Sequence, residues 1–233
     1  TNDHFFGSNC CNVATGCLKL RLYNFLRRIA MNFLLSITAG LAMAVASFTS
    51  LAAGDIQAGK AAAVTCMGCH GAPGMRNSYP TFRIPKLGGQ QAEYLALALK
   101  AYQSGERVHP TMQAQAGALS DTEITNITAY LSSLDAPAKS ELGDGNAKAG
   151  EAKAQVCTSC HGAGGATPIT PQYPILAGQY PDFLAHALSG YKSGVRNNAI
   201  MKGFASALSA SDIEDLAAYF GSQASTLSTP TNW

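Results

Sequence analysis

The sequence predicts an all-α protein in which one helical domain of about ninety residues is used twice in tandem. Two observations predict it. Gly59 and Cys66 recur 91 residues later as Gly150 and Cys157, and after a two-residue gap the offset settles at 89, pairing Pro85 with Pro174, Leu87 with Leu176, Gln90 with Gln179, Tyr102 with Tyr191, Gly105 with Gly194, Met112 with Met201 and Tyr130 with Tyr219. Within each copy the apolar residues fall at helical spacing, and no run alternates as a strand would.

Taken in chain order, residues 1–30 hold no methionine and are read as upstream sequence or leader. Residues 31–53 read as a signal peptide: Phe33 to Phe48 is almost wholly apolar, Ser50-Leu51-Ala52-Ala53 is a small-residue cleavage signal, and Arg27 and Arg28 lie on the amino-terminal side. That apolar stretch of 16 residues is shorter than the about 20 a membrane span needs. An exported, soluble mature protein is therefore expected. Of seven cysteines, Cys10, Cys11 and Cys17 fall in the leader, and the other four all lie in the motifs described below.

The first domain is expected over 54–138, a linker over 139–146 within the Pro-, Gly- and polar-rich run Asp135 to Asn146, and the second domain over 147–233. Gly59 to Cys69 predicts a first helix. Gln91 to Ser104 predicts a second, with Tyr94, Leu95, Ala98, Leu99 and Tyr102 on one face and Gly105 where a terminator belongs; its counterpart is Pro181 to Ser193. The last helix opens on the capping box Ser120-Asp-Thr-Glu123 and runs to about Ser133, and its copy opens at Ser209-Ala-Ser-Asp212. The stretches between are read as polar loops. From Gly54 onward 12 Lys and Arg face 13 Asp and Glu, so the composition carries no basic footprint for nucleic acid.

The chemistry lies in Cys66-Met67-Gly68-Cys69-His70 and its copy Cys157-Thr158-Ser159-Cys160-His161. Two thiols three positions apart can each form a thioether with a haem vinyl group, and the adjoining histidine reaches the iron. A thioredoxin-like pair would not need the histidine and would sit in a βαβ setting. A zinc ribbon would pool both pairs in one tetrahedral site, whereas each pair here belongs to its own full-length repeat. Two covalent haems c are therefore expected, with His70 and His161 as proximal ligands. Such a macrocycle would also supply interior that a ninety-residue unit lacks.

The sixth ligand decides between a carrier and an enzyme. In the second unit the candidates are Met201 and His186, and His186 pairs with Leu97 of the first unit. In the first unit they are Met67, Met75, Met112 and His109; only Met112 has a methionine twin, and His109 aligns with Asn198. Met112 and Met201 are therefore expected as axial ligands. A filled His/Met pair leaves no position for a substrate and favours one-electron exchange at the haem edge.

With these motifs, the chain from Gly54 to Trp233 resembles the dihaem cytochrome c4 family: two tandem class I cytochrome c domains behind a signal peptide. The resemblance implies that the carbonyls of Pro85 and Pro174 orient His70 and His161, and that Gly59 and Gly150 let the first helix approach the last at Tyr130 and Tyr219. It further implies a pseudo-twofold pair of domains with the haem propionate edges near each other. The implied role is a periplasmic carrier, in some relatives loosely held at the membrane, passing single electrons from a quinol-oxidising complex to a terminal oxidase. The alternative is an electron-transfer subunit of an enzyme complex, such as a sulfide-oxidising flavocytochrome. A dihaem peroxidase or thiosulfate dehydrogenase would need one haem with a different ligand, which the Met112/Met201 symmetry argues against. Lys86, Arg76, Arg83, Arg107 and Arg196 are candidates to meet haem propionates or a partner, but a charged residue in a loop is usually solvated, and none of them is taken as a site residue.

Overall fold

The computed structural model describes residues 54–134, 136 and 140–231; the expected leader and signal peptide, and the boundary between first domain and linker at 137–139, lie outside the described residues. Ten α-helices and one 3-10 turn form there, and no sheet, only isolated β-bridges. In the first half these are α1 (Ile56–Ala62), α2 (Val64–His70), α3 (Ala92–Ser104), α4 (Pro110–Gly117) and α5 (Asp121–Ser132). In the second they are α6 (Ala147–Lys153), α7 (Gln155–His161), the 3-10 turn Ala163–Gly165, α8 (Pro181–Ser193), α9 (Ala199–Ser206) and α10 (Ala210–Ser222).

The expected single first helix is corrected to two short ones. Asp55 starts α1 earlier than Gly59 by accepting the N–H groups of Gln57 and Ala58, and Asn146 does the same for Lys148 and Ala149. The helix then breaks at Ala63, and at Ala154 in the copy, where the bonds from Cys66 N–H and Cys157 N–H tighten to three residues back. Both alanines are fully buried, so only a small side chain fits the bend.

Gly59 and Gly150 sit where α1 crosses α5 and α6 crosses α10. A Cβ at either would stand 2.0 Å from a backbone carbonyl of the partner helix, that of Asn126 or Asp215, and under 3 Å from Cβ of Tyr130 or Tyr219. Both last helices carry the full reciprocal capping box, and α3 and α8 stop at Gly105 and Gly194 in the left-handed conformation. Helices α4 and α9 form where polar loops are expected. Their first turns are closed by His109 and Asn198, and Pro110 presets the first position of α4.

Each half has its own small core. Ala63, Met67, Leu95, Ile127, Tyr130 and Leu131 form the first, and Ala154, Leu184, Ile213, Leu216, Ala217 and Phe220 the second. Each large aliphatic among them contributes roughly 1.5–3 kcal/mol by burial.

The halves pack within one compact unit, and one pair of contacts between them is reciprocal. The Gln90 side chain donates from Nε2 to the Ile175 carbonyl at 3.0 Å and accepts the Ile175 N–H at 2.9 Å. Its twin Gln179 donates to the Lys86 carbonyl at 3.0 Å and accepts the Lys86 N–H at 2.9 Å. Between the halves Phe82 stacks on His186 at 4.0 Å, and Arg83 pairs with Asp182 at 2.9 Å.

Candidate cofactor centres

Helices α2 and α7 present Cys66, Cys69 and His70, and Cys157, Cys160 and His161, one turn apart on each helix. Among the described residues these four cysteines form no disulfide, and all are half-buried. Burial pushes the Cys66 and Cys157 thiols up, so they are held neutral, unlike the depressed thiols of a dithiol redox pair. Among the described residues no three His, Cys, Asp or Glu side chains gather as a metal-binding group, and the two Cys-x-x-Cys pairs stay in separate halves.

His70 and His161 are buried. Nδ1 of His70 lies 3.0 Å from the Pro85 carbonyl, and Nδ1 of His161 lies 2.9 Å from that of Pro174. A carbonyl only accepts, so the proton sits on Nδ1 and the Nε2 lone pair is left free for a metal. Burial lowers both pKa values against the opposing carbonyl bonds, keeping the rings neutral, the form that ligates.

Met112 and Met201 occupy the third position of α4 and α9, both half-buried. Their amides are fixed by the side chain three residues earlier, His109 in one copy and Asn198 in the other. The other candidates go elsewhere. Met67 is buried in the first core, Met75 lies 40 % exposed in a loop, His109 is occupied as a helix cap, and His186 packs against Phe82.

The fit of these residues to haem has an independent check in the pair Arg107 and Arg196. They meet through a backbone bridge between the halves. Arg196 is buried and its Nε has no hydrogen-bond partner among the described residues; its guanidinium lies over the rings of Tyr191 and Phe183. Arg107 lies over Tyr94 and Tyr102, 3.4 Å from the hydroxyls of Tyr94 and Tyr191. Burial alone would raise the Tyr94 pKa, yet the two guanidinium groups bring it below the ordinary tyrosine value. No carboxylate among the described residues pairs with either arginine. Two adjoining cations so placed call for an anion, and each haem brings two propionate carboxylates. The reading as solvated charges is thus corrected for Arg107 and Arg196, and also for Lys86, which is buried and paired with Glu141, and for Arg83, which is paired with Asp182 and Glu141. In the sequence Arg107 and Arg196 differ from Arg76, Arg83 and Lys86 only in pairing with each other at the 89-residue offset; their burial against the opposite half comes from packing.

The family profile described as Cytochrome c matches residues 56–135, and the one described as Cytochrome C oxidase, cbb3-type, subunit III matches residues 145–220. A cytochrome c4 of Pseudomonas aeruginosa is 33% identical over 180 residues, covering 72% of this chain and 88% of the relative. A thiosulfate dehydrogenase electron acceptor of Stutzerimonas stutzeri is 33% identical over 173 residues, covering 68% of this chain and 79% of the relative. The crystal structure of reduced recombinant cytochrome c4 from Pseudomonas stutzeri superposes with a TM-score of 0.61 at 32% identity, over 73% of this chain and 100% of that one.

Proposed function

This chain belongs to the cytochrome c4 family of dihaem electron-transfer proteins, and from that membership we propose that it is a periplasmic carrier passing single electrons from a quinol-oxidising complex to a terminal oxidase, without substrate turnover of its own. Two covalently bound haems c are its cofactors. Each bound haem supplies an iron that cycles between ferric and ferrous states. In this reading Cys66 and Cys69 hold the first haem by thioethers and Cys157 and Cys160 the second. Nε2 of His70 and the sulfur of Met112 ligate the first iron, and His161 and Met201 the second. The Pro85 and Pro174 carbonyls hold the proximal rings in the ligating tautomer.

One observation carries the reading: both halves place a tautomer-locked histidine and a methionine with a capped amide at matched positions. Two protein donors per iron leave no position for a substrate, and thioether sulfur favours the ferrous state. Export is supported by the apolar run Phe33 to Phe48 and the small residues ending at Ala53. No helix among the described residues is long and apolar enough to cross a membrane.

The test is a spectroscopic redox titration of the mature dihaem protein. Two low-spin haems with His/Met signatures and positive potentials are expected, and Met201→Ala should remove that signature from one haem only. Unchanged spectra in Met201→Ala would overturn the ligand assignment. A second reading, a dedicated electron acceptor for an enzyme, draws on the likeness to the thiosulfate dehydrogenase electron acceptor. Isolation of the native protein in stable complex with a dehydrogenase, and faster reduction by it than by a quinol-oxidising complex, would favour that reading.

A further inference from the structure

The carbonyl that receives a proximal histidine and the N–H that the opposite glutamine holds belong to one peptide group. Pro85 C=O lies 3.0 Å from His70 Nδ1, and the N–H of that same peptide, on Lys86, is 2.9 Å from Oε1 of Gln179. In the copy, Pro174 C=O lies 2.9 Å from His161 Nδ1, and the Ile175 N–H is 2.9 Å from Oε1 of Gln90. Each histidine thus connects through a single amide to a side chain of the other half.

The amide orientations follow from the network. Oε1 of Gln179 accepts a second N–H, that of Tyr180 at 3.0 Å, while its Nε2 donates to the Lys86 carbonyl. Oε1 of Gln90 likewise accepts from Gln91 at 2.9 Å, while its Nε2 donates to Ile175. Turning either side-chain amide over would face N–H against N–H and oxygen against oxygen. Both glutamines are 3% exposed, so no water competes for these bonds.

Hydrogen bonds in series polarise one another, and an amide whose N–H is engaged is a stronger acceptor at its oxygen. A stronger acceptor at Nδ1–H makes the imidazole a better donor at Nε2, and a better axial donor stabilises ferric iron. The geometry points to Gln179 as a positioning residue that sets the potential of the first haem, and Gln90 as the one that sets the potential of the second, each acting across the domain interface through the peptide behind the proximal histidine. This inference rests on the ligation proposed above. The two glutamines differ from a generic interface contact because each acts on the haem of the half to which it does not belong. The arrangement also makes the potentials properties of the assembled pair, so loosening the interface would shift both haems toward the ferrous form.

The experiment is a potentiometric titration of the full two-haem chain, with each haem's signals assigned by NMR through the Met112 and Met201 variants. Gln179→Met, which keeps the bulk and loses the accepting oxygen, should shift the first haem toward the ferrous form at fixed ambient potential and leave the second unmoved. Gln90→Met should do the reverse. Should either methionine variant fail to yield a two-haem protein, Gln179→Glu keeps an oxygen facing the Lys86 N–H and should produce no such rise in the first haem's potential. Movement of the haem in the substituted half, equal movement of both haems, no movement of either, or a rise in Gln179→Glu would each overturn the inference. Loss of His/Met signatures from the unsubstituted protein would instead overturn the ligation, which separates the two failures.

Discussion

Nδ1 of His109 accepts the backbone N–H of Met112 at 3.2 Å, so the side chain that opens α4 also fixes the peptide of the methionine it precedes. Asn198 does the same for Met201 at 3.0 Å. Loss of such a cap costs about 0.5–2 kcal/mol. His109→Asn, which copies the second half, should leave stability and the methionine–iron absorption of the first haem intact. His109→Ala should lose about 1 kcal/mol in chemical denaturation and weaken that absorption. Equal behaviour of the two variants would show that the cap does not matter.

The helix crossings at Gly59 and Gly150 leave no room for a methyl group. The atoms in the way are backbone carbonyls of Asn126 and Asp215, which cannot swing aside as a side chain could. Gly59→Ala and Gly150→Ala should each destabilise by about 1–3 kcal/mol or more. Gly117→Ala, whose added carbon would meet nothing within 4 Å, should be neutral or slightly stabilising. Denaturant midpoints of the three variants give the comparison, and a mild effect at Gly59 would contradict the close crossing.

Glu141 binds two cations at the interface, Lys86 at 3.0 Å and Arg83 at 2.9 Å. Lys86 is only 5% exposed, and its remaining partners are the Gly178 carbonyl and the Tyr180 ring. Removing the carboxylate in Glu141→Gln strands a buried charge, a loss of about 1–3 kcal/mol. Lys86→Ile should cost less, because the matched position of the other half already holds Ile175 and Glu141 keeps Arg83. The ranking of the two unfolding free energies checks this, and the reverse order would contradict it.

What could be read from the sequence divides along the repeat. The Cys-x-x-Cys-His motifs, the capping boxes at Ser120 and Ser209 and the terminators Gly105 and Gly194 are short-range signals, and each marks its element without tertiary help. The break at Ala63 is not of this kind, since neither Ala63 nor its copy Ala154 is a helix breaker; both alanines sit fully buried in the cores where the chain bends. Helix α4 escaped because its cap is a histidine, a residue whose usual reading near a haem is that of a ligand. The interface escaped for a third reason. Gln90 and Gln179, or Arg107 and Arg196, are ordinary polar residues locally, and only the packing of one half on the other gives them partners.

The final prediction concerns acid. Lys153 at the end of α6 reaches Asp215 at 2.6 Å and Asp212 at 2.9 Å on α10; the matched positions of the first half are Ala62, Asn126 and Glu123, with no such cation. The Asp215 carboxyl is held below the usual range first by Lys153 and then by the Asn146 N–H. Asp212 is held down first by the Ser209 hydroxyl and then by Lys153. A carboxyl whose pKa is lower folded than unfolded binds fewer protons in the native state. Its contribution is therefore full above the ordinary carboxylate value of about 4 and is lost as pH falls through the lowered one. The raised pKa of Lys153, due first to Asp215, puts its own loss only at strongly alkaline pH, above the ordinary lysine range. Lys153→Met should consequently unfold at a lower temperature than the native protein at neutral pH, and the gap should close as pH is brought below the carboxylate range. A gap that persists unchanged in acid would mean that Lys153 stabilises through the packing of its stem rather than through the two aspartates.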